Sequence, residues 1–522
     1  MNKTMKQHSF VSHLKSLALA FGITLAFASC ANEEIAQNAN GKDYDANLTT
    51  FSTGDPTTRT SMESNGTFYW ESGDKIWVKD DNGAWQQSSN APTEKTASFE
   101  FKVPGKFTKS STYKVYYPGQ NGNQDQVSIA ANQSQTEPNT TAHFGASGDC
   151  GMADATWSNV KNGFAFTLDH KAAYLLFLPR TANTILHDCY LTKVEVNSDN
   201  DITSTYTLDP TTGKLTGTGT GKQIIVSTGG TGTYANGFPL TNSATSAATN
   251  GAYVVIKPGT HILKICYWVK DVATGTEGTI TKTLASATYD QNKYYNITAN
   301  LDVKNYDGDK YYMWDAQEQY WKGHEWNLGG SQPTLNYGLP GATTSNDYAK
   351  SNADPRYWNE YYPGYGVSNP ATHTSCKDLP NVNEMTWYAA KGEPRWDGDE
   401  LWTTMGHLYK GGMWFKKKTN ISGFNPNTAE DGTDWRTNVN VRSWSVSQTL
   451  PDAADAGNYF YLPALGYYIS GQLRRVGNVG FYWSSSSDPR GRYRAYHLQF
   501  TSGNVYVGNY DRGHGMRVGR FE

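Results

Sequence analysis

Apolar residues that recur at every second position constrain the fold of this chain more than any other feature. Near the C-terminus, Leu498 and Phe500 are followed by Val505 and Val507, with Tyr, Arg, Asp, His and Gly residues around them. A period of two is typical of strands that bury one face. Long helical periodicities are scarce, whereas Thr, Tyr, Val, Gly and Asn predominate. At 522 residues the chain is too long for one core, so we predict a mainly β protein with several domains.

The charge distribution bears on the kind of partner. The net charge of −3 gives no reason to expect a nucleic-acid partner. The segment 474–522 nevertheless contains eight Arg, no Lys, two Asp and one Glu, and is therefore locally positive. Such Arg residues are typical of structural pairs and of contacts with proteins or glycans. Together with the neighbouring Tyr residues they combine aromatic area with adaptable hydrogen bonding, which favours recognition over catalysis.

The N-terminus carries an export signal. Three Lys residues precede an apolar run over 17–28, which is too short to span a bilayer and stops just before a Cys. The tetrapeptide 27–30 (Phe-Ala-Ser-Cys) resembles the lipobox of Bacteroidetes lipoproteins, which implies a signal peptide over 1–29 and acylation of Cys30. An ordinary signal peptide with a nearby Cys is the alternative. The residues 31–34 (Ala-Asn-Glu-Glu) resemble the acidic signal that sends such lipoproteins to the outer face of the outer membrane.

The stretch 30–46 is polar and predicts a flexible tether. We therefore expect an outer-membrane lipoprotein that is exposed at the cell surface or in a fimbrium. Its lipid anchor is the only contact with the membrane that we expect.

The segment 57–78 predicts a hairpin, because aromatic and aliphatic residues alternate around a Gly-Asp turn at 73–74. With its Thr-Arg-Thr start at 58–60, this segment resembles the N-terminal signature of fimbrillin-like proteins of Bacteroidetes. That family commonly closes with a hairpin and a final strand. Gly259–Ile265 resembles the hairpin, and Asn292–Leu301 resembles the strand.

The resemblance to fimbrillin-like proteins spans about 47–302. It implies two tandem β-sandwich lobes of a transthyretin-like kind, over 47–180 and 181–302. It also implies that Arg59 lies near a strand that an Arg-specific protease removes before strand exchange. The alternatives are an unrelated β-sandwich lipoprotein for the segment and a solvent-exposed strand residue for Arg59.

Aromatic residues become denser from Tyr311 onward, together with many Gly and few regular elements. This composition predicts a compact domain with long ordered loops held by aromatic packing. A short helix is expected within 379–388, after an N-cap at Asn381. With the Tyr-Trp-Ser-Ser-Ser stretch at 482–486, the pattern over 303–522 resembles a C-type-lectin-like α+β fold. The most similar families are the variable proteins of diversity-generating retroelements and the major paralogous domains of Fibrobacter.

This second resemblance implies a fixed scaffold and a variable ligand-binding face. The implied scaffold positions are Tyr482, Trp483, Ser484, Ala495, Leu498, Phe500, Gly503, Val505, Val507, Arg512, Gly515, Arg517 and Val518. In the variable proteins, adenines of the template are rewritten, so that Asn codons become Tyr, Asp, His, Ser, Arg or Gly. The residues that fit this spectrum are Asp488, Arg490, Arg492, Tyr493, Arg494, His497, Tyr506, Gly508, Tyr510, Asp511 and His514.

Some features depart from the pattern of the variable proteins. Gln499 and Met516 do not follow simply from an Asn codon, and the chain ends in Gly-Arg-Phe-Glu instead of the usual Arg-Cys-Val. A lectin-like domain without diversification, with an ordinary polar surface, is the alternative.

We expect no catalytic site, metal or cofactor. Ser484, Asp488 and His497 supply the residue types of a hydrolase triad, but the sequence has no Gly-x-Ser-x-Gly elbow. The tripeptide 393–395 (Glu-Pro-Arg) resembles the calcium and sugar motif of true C-type lectins, yet its Arg replaces an oxygen ligand with a cation. The widely spaced Cys residues form no C-x-x-C pair, so neither a zinc site nor a redox dithiol is expected.

We therefore expect a non-enzymatic adhesin or pilus-tip subunit that binds a protein or glycan ligand on another cell or host. The Tyr- and Arg-rich face of the C-terminal domain is the expected binding surface, and other pilus subunits are further expected partners. Two alternatives stay open. The first is a structural pilin or anchor subunit without a ligand, and the second is a glycan-binding or hydrolytic lipoprotein of a polysaccharide-utilisation system.

Overall fold

The computed structural model describes residues 48–53, 61–62, 68–328, 332–358, 370–519 and 521. The predicted signal peptide, the tether, Cys30 and Arg59 lie outside these residues, and so they stay predictions. The described part is mainly β, as the alternation in the sequence predicts, with three short α-helices among 36 strands. None of its helices is long and apolar enough to cross a membrane.

The first twelve strands build the N-terminal part of the chain. These strands and the first helix are β1 (Leu48–Thr53), β2 (Ser61–Met62), β3 (Phe68–Tyr69), β4 (Trp77–Lys79), β5 (Trp85–Gln87), β6 (Glu100–Pro104), β7 (Tyr113–Tyr117), β8 (Gln126–Ser128), β9 (Asn132–Gln135), α1 (Phe144–Ser147), β10 (Gly151–Ser158), β11 (Gly163–Phe166) and β12 (Asp169–His170). Eight of them form one sheet in the order β5-β4-β7-β10-β11-β1-β6, with β12 beside β10. Trp70 is completely buried in its core, with ring centroids 5.0 Å from Phe101 and 5.4 Å from Tyr117.

β2 and β3 form an antiparallel pair within the segment 57–78, but the hairpin predicted around the turn at 73–74 is wrong. The turn at 73–74 forms, but Trp70 bridges to Thr96 and β4 pairs with β5 and β7 instead of with β3. The reason lies in the Asp of the turn. Asp74 is buried and accepts hydrogen bonds from the hydroxyl of Tyr117 at 2.9 Å and from the backbone N–H of Glu71 at 2.8 Å. These contacts hold the turn against a different strand, so its two arms separate.

The next twelve strands share a second core. With the second helix they are β13 (Ala173–Arg180), β14 (Cys189–Ser198), β15 (Thr205–Leu208), β16 (Leu215–Thr216), β17 (Gln223–Thr228), β18 (Phe238–Pro239), α2 (Ala247–Asn250), β19 (Ala252–Ile256), β20 (Gly259–His261), β21 (Leu263–Asp271), β22 (Glu277–Thr283), β23 (Ala287–Tyr289) and β24 (Lys293–Asn300). One sheet has the order β19-β13-β24, and the other has the order β22-β21-β14-β17-β9 with β18 beside β14. Phe177 of the first sheet packs against Tyr267 of the second, with ring centroids 6.0 Å apart.

Strand pairing joins residues on both sides of position 180. β8 is antiparallel to β15, and β9 is parallel to β17.

The predicted final strand is present as β24. The hairpin predicted at Gly259–Ile265 is wrong, because β20 pairs with β23 whereas β21 pairs with β14 and β22. Only Ile262 separates β20 from β21, and one residue is too short for the usual hairpin turn.

The C-terminal region (residues 303–521) contains the remaining elements. They are β25 (Lys304–Asn305), β26 (Tyr311–Tyr312), α3 (Val382–Lys391), β27 (Arg395–Thr404), β28 (His407–Lys416), β29 (Arg442–Ser445), β30 (Tyr459–Pro463), β31 (Tyr467–Ile469), β32 (Gln472–Arg474), β33 (Gly480–Ser487), β34 (Arg494–Phe500), β35 (Asn504–Asp511) and β36 (Met516–Arg517). Two sheets have the orders β25-β27-β28-β30 and β26-β36-β33-β34-β35-β29. Short 3₁₀ helices cover Thr184–Asp188, Gly232–Tyr234, Trp326–Leu328, Lys418–Asn420 and Ala456–Asn458.

The predicted helix near Asn381 is confirmed. The side chain of Asn381 accepts from the backbone N–H of Glu384 at 3.1 Å, and the Glu384 carboxylate accepts from the N–H of Asn381 at 2.8 Å. This reciprocal capping box satisfies two N–H groups that would otherwise lack partners at the helix start.

The C-terminal region packs directly on the second core. Leu401 and Leu408, from β27 and β28, are buried in that core. The hydroxyl of Thr274 donates to the carbonyl of Leu408 at 3.0 Å, and the amide of Asn183 donates to the hydroxyl of Thr403 at 2.9 Å. Apolar burial and hydrogen bonds therefore both join the two parts.

Candidate ligand-binding groove

The sheet that contains β33, β34 and β35 carries the predicted binding face. In the antiparallel pair β34–β35, Leu498 lies opposite Val507 and Phe500 lies opposite Val505. All four side chains are completely buried in the core of the C-terminal region. The predicted period of two is therefore confirmed, and the residues between these positions point to the other face of the sheet.

Arg512, a predicted scaffold residue, supports the start of β34. Its guanidinium carbon lies 4.3 Å from the ring centroid of Trp314 and 5.9 Å from that of Trp358. Its Nε donates to the backbone carbonyl of Arg494 at 3.0 Å. Burial lowers the pKa of Arg512 to about 10. A nearly fully buried cation between two indole rings thus fixes the backbone from which Arg494 projects.

A groove opens where β29 leaves the sheet. β29 pairs with β35 as far as Arg442, which lies opposite Val507. The residues before Arg442 turn away, and the backbone N–H of Asn440 contacts the hydroxyl of Tyr496 at 3.4 Å. The resulting groove has a volume of about 650 Å³ and lies along the last residues of β35. Its lining residues are Val439, Asn440, Val441, Arg490, Arg494, Gln499, Tyr506, Asn509, Tyr510 and Asp511.

The eleven predicted ligand-binding residues fall into three groups. The groove is lined by Arg490, Arg494, Tyr506, Tyr510 and Asp511. Outside the groove, Arg492 and Tyr493 are exposed in the turn between β33 and β34, with the guanidinium of Arg492 4.7 Å from the Tyr493 ring centroid. The buried or half-buried members are Asp488, His497, Gly508 and His514.

Asp488 shapes the turn that carries Arg490. Its Oδ1 accepts from the backbone N–H of Arg490 at 2.8 Å, and its own N–H donates to the carbonyl of Arg494 at 3.1 Å. Asp488 is only 5% exposed, so its carboxylate positions the backbone at the end of the groove.

His497 and Gly508 lie opposite each other beneath the groove. The imidazole of His497 is completely buried among aromatic rings, 5.7 Å from both Phe481 and Tyr510 between centroids. Burial lowers the pKa of His497 to about 4. A Cβ at Gly508 would lie 2.2 Å from the Tyr506 hydroxyl oxygen, so the absence of a side chain there leaves room for the Tyr506 ring.

His514 supports Tyr510 from the side. The two ring centroids are 4.7 Å apart, and the Nδ1 of His514 lies 3.1 Å from the carbonyl of Asp511. Burial lowers the pKa of His514, so the ring favours its neutral form. Tyr510 is therefore held at the groove by packing with His514 and His497.

The groove is positively charged. Arg494 makes one hydrogen bond, from Nη1 to the Oδ1 of Asn509 at 3.3 Å, and Arg490 and Arg494 form no salt bridge with any described carboxylate. Asp511 is the one acidic residue in the lining, and its Oδ1 accepts from the N–H of Gly513 at 2.8 Å. Burial raises the pKa of Tyr506, and Arg494 acts in the opposite direction. Two cations against one anion give the groove a preference for negative charge.

The sequence pattern did not reveal the opposite wall of the groove. Val439, Asn440 and Val441 come from a segment some fifty residues away in the chain, and no motif marks them. Gln499 and Asn509 lie on the strands themselves but were outside the predicted set. Which residues line the groove depends on where β29 stops pairing with β35. Only the strand register shows that position.

Within the described ranges, no three His, Cys, Asp or Glu residues are placed together so that they could hold a metal ion. Cys150, Cys189, Cys266 and Cys376 are free and buried.

No protein-family model matches the sequence, and no curated protein matches it. A protein from Bacteroides ovatus, provisionally described as a cell adhesion protein, is 13% identical; the match covers 49% of this chain and 93% of that one, with a TM-score of 0.31. The fimbrial anchor protein Mfa2 from Porphyromonas gingivalis is 11% identical over 45% of this chain and 82% of that one, with a TM-score of 0.21. A fimbrial protein from Bacteroides ovatus is 12% identical over 90% and 98%, with a TM-score of 0.25.

These solved structures are adhesion and fimbrial proteins of Bacteroidetes, the group to which the sequence shows its first resemblance. At such identities and TM-scores the similarity carries no argument about function.

Proposed function

We propose that this chain is a lipid-anchored surface adhesin or pilus-tip subunit, and that the groove beside β35 binds its protein or glycan ligand. The observation that carries this proposal is the convergence of Arg490, Arg494, Tyr506 and Tyr510 on one groove of about 650 Å³. Ligand sites in proteins usually measure about 300–1,000 Å³ and combine aromatic area with a few converging polar groups.

The mechanism is binding to a preformed surface. Arg494 and Tyr506 lie on paired strands, and Arg512 and Asp488 fix the backbone at the end of β34. A rigid strand pair loses little conformational entropy when a ligand binds. Tyr side chains add contact area with only two rotatable bonds each.

The attachment to the surface is the second part of the proposal. Cys30 is the proposed lipidation site, and the tether over 30–46 holds the remainder of the chain away from the membrane. Lobes over 47–180 and 181–302, of the fimbrillin-like kind, present a C-type-lectin-like domain over 303–522 or place it in a pilus. Processing at Arg59 and diversification of the variable face by a retroelement complete the proposal.

The proposal is tested by adherence. Bacteria that display the full chain are compared with bacteria that display the double variant Tyr506→Ala, Tyr510→Ala on surfaces coated with mucin or with cultured epithelial cells. We expect the double variant to reduce adherence at least tenfold. The matched control is Tyr337→Ala, because Tyr337 is 57% exposed and lies outside the groove. Equal adherence of the double variant and the unmodified chain would refute the proposal.

Diversification has its own test. Codons 472–522 are sequenced deeply from many isolates. Substitutions restricted to the eleven predicted residues, with Trp483, Leu498 and Phe500 unchanged, are the expected result. Invariant codons at those eleven positions would remove the retroelement from the proposal and leave a groove with one fixed ligand.

A further inference from the structure

Several polar groups in the groove have unused hydrogen-bonding capacity. Among the described residues, none accepts from the guanidinium of Arg490, and none pairs with the hydroxyls of Tyr506 and Tyr510. Arg494 uses one of its donors, on Asn509. Polar groups at a groove surface then bind either water or a ligand. The site therefore offers unused donors on the Arg pair, and hydroxyls on the two Tyr that can donate or accept.

The charge of the groove selects for an anionic ligand. Arg490 and Arg494 are both exposed and lack an acidic partner, whereas the carboxylate of Asp511 already binds the N–H of Gly513. Guanidinium groups bind carboxylates in a planar, two-pronged geometry that an ammonium group cannot provide. A carboxylate that reaches both Arg side chains would compensate the excess charge.

The remaining lining residues distinguish a saccharide from a peptide. Eight of the ten have amide, guanidinium, carboxylate or phenol side chains, and only Val439 and Val441 are aliphatic. A peptide usually anchors an apolar side chain in a desolvated pocket, and two Val residues at the rim form no such pocket. Closely spaced hydroxyls of a sugar match planar amides and phenols, and the C–H face of a pyranose can pack on an exposed aromatic ring such as that of Tyr510, which is 39% exposed.

We infer that the groove binds an acidic oligosaccharide, whose carboxylate is bound by Arg490 and Arg494 and whose adjacent ring packs on Tyr510. This inference rests on the proposed function and specifies its ligand class. The amides of Asn440, Asn509 and Gln499 lie along the same groove and bind the hydroxyls of the sugar.

The test uses the full chain and defined probes. Trigalacturonic acid and 3′-sialyllactose are the acidic probes, and the carboxyl-reduced form of each is the neutral match. Binding is measured by titration calorimetry at 50 mM and 300 mM NaCl. We expect each acidic probe that binds to bind at least tenfold more tightly than its reduced form. We also expect the affinity of the acidic probe to fall at the higher salt concentration, since exposed charges are screened.

Arg variants locate the interaction. Arg494→Gln and Arg490→Gln should each weaken the binding of the acidic probe about tenfold and leave the neutral probe unchanged. Arg492→Gln is the matched control, because Arg492 is an exposed Arg two residues away that lies outside the groove. Thermal unfolding of each variant checks that the fold is retained, and Arg490→Gln is the safer variant because the Arg490 side chain makes no hydrogen bond or salt bridge with a described residue.

The outcomes separate this inference from the proposed function. If neither acidic probe binds, or if the reduced probes bind equally well, the acidic-saccharide inference is wrong. The proposed function still stands in that case if the Tyr506 and Tyr510 double variant loses adherence. If that double variant adheres normally, the proposed function fails together with this inference.

Discussion

Asp271 accepts a hydrogen bond from the backbone N–H of Leu408 across the junction between the second core and the C-terminal region. The distance from Oδ2 to the Leu408 nitrogen is 2.9 Å, and the Nδ1 of His407 lies 3.4 Å from the same oxygen. The other carboxylate oxygen accepts from the N–H of Ala273 at 2.8 Å. One buried carboxylate at the end of β21 therefore closes the β21–β22 turn and fixes the start of β28.

Removal of the Asp271 carboxylate should destabilise the junction. Asp271→Ala leaves the N–H of Leu408 without an acceptor in a buried site, and a lost hydrogen bond to a charged group costs about 1.5–3 kcal/mol. We expect the free energy of unfolding in urea to fall by about 2 kcal/mol. The control Asp399→Ala removes a carboxylate whose side chain is 93% exposed, and it should change the free energy by less than about 0.5 kcal/mol. A fall of similar size in both variants would contradict the assigned role of Asp271.

The same carboxylate predicts a loss of stability in acid. Burial acts to raise the pKa of Asp271, but the hydrogen bonds from His407 and Leu408 outweigh it and lower the pKa below 3.8. Because the folded state holds the carboxylate more strongly ionised than the unfolded state does, this stabilisation is complete above pH 3.8. It disappears as the pH falls through the folded-state pKa.

The measurement compares Asp271→Asn with the unmodified chain between pH 7 and pH 2. The difference in the free energy of unfolding should stay constant down to about pH 4.5 and shrink below pH 3.8. A difference that is the same over the whole range would show that the ionised form has no special role.

The buried imidazole of His497 predicts a second dependence of stability on pH. Its cause is burial, whereas hydrogen bonds are the cause at Asp271. Burial lowers the pKa of His497 from 6.5 to about 4, so the unfolded state takes up a proton at a higher pH than the folded state does. Its contribution is therefore complete above pH 6.5. Stability should fall by about 1.4 kcal/mol per pH unit between pH 6.5 and pH 4, where the folded state also becomes protonated.

His497→Phe isolates this contribution, because burial also lowers the pKa of His143 to about 4 and produces a similar slope. The variant should show a slope smaller by one proton than that of the unmodified chain. A Phe ring fits the aromatic surroundings, and the buried ring nitrogens of His497 make only weak contacts, with the Gln499 side chain and the Gly508 backbone. We therefore expect no loss of stability at pH 7. Parallel curves for the two proteins would contradict the buried neutral state of His497.

Substitution of Gly508 should weaken ligand binding with little change in the free energy of unfolding. In Gly508→Ala the new Cβ would lie 2.2 Å from the hydroxyl oxygen of Tyr506, so the Tyr506 ring has to leave its place in the groove. A flexible side chain can move at low cost, and we expect a change of less than about 1 kcal/mol in the free energy of unfolding. Binding of the acidic probe should weaken about tenfold or more. Gly503→Ala is the control, since its Cβ would have no contact closer than 3.9 Å.

Much of the fold could be predicted from local patterns. The alternation of Leu498, Phe500, Val505 and Val507 predicted two strands with one buried face, because strand periodicity depends only on the backbone. The helix cap at Asn381 was predictable for the same reason, since a capping box is complete within four residues. The hairpin around 73–74 was not, because Asp74 bonds to Tyr117, which lies more than forty residues away.

For the candidate site, too, some features could be predicted from the sequence and others could not. The sequence alone predicted eleven ligand-binding residues between 488 and 514 on a strand frame, and five of the eleven line the groove. Only the tertiary structure decided that Asp488 fixes a turn, that His497 is enclosed by aromatic rings, and that Val439, Asn440 and Val441 form the far wall. The physical reason is that alternation is a local property of the backbone. A groove, in contrast, exists only where the register of a distant strand ends, and β29 stops pairing with β35 at Val507.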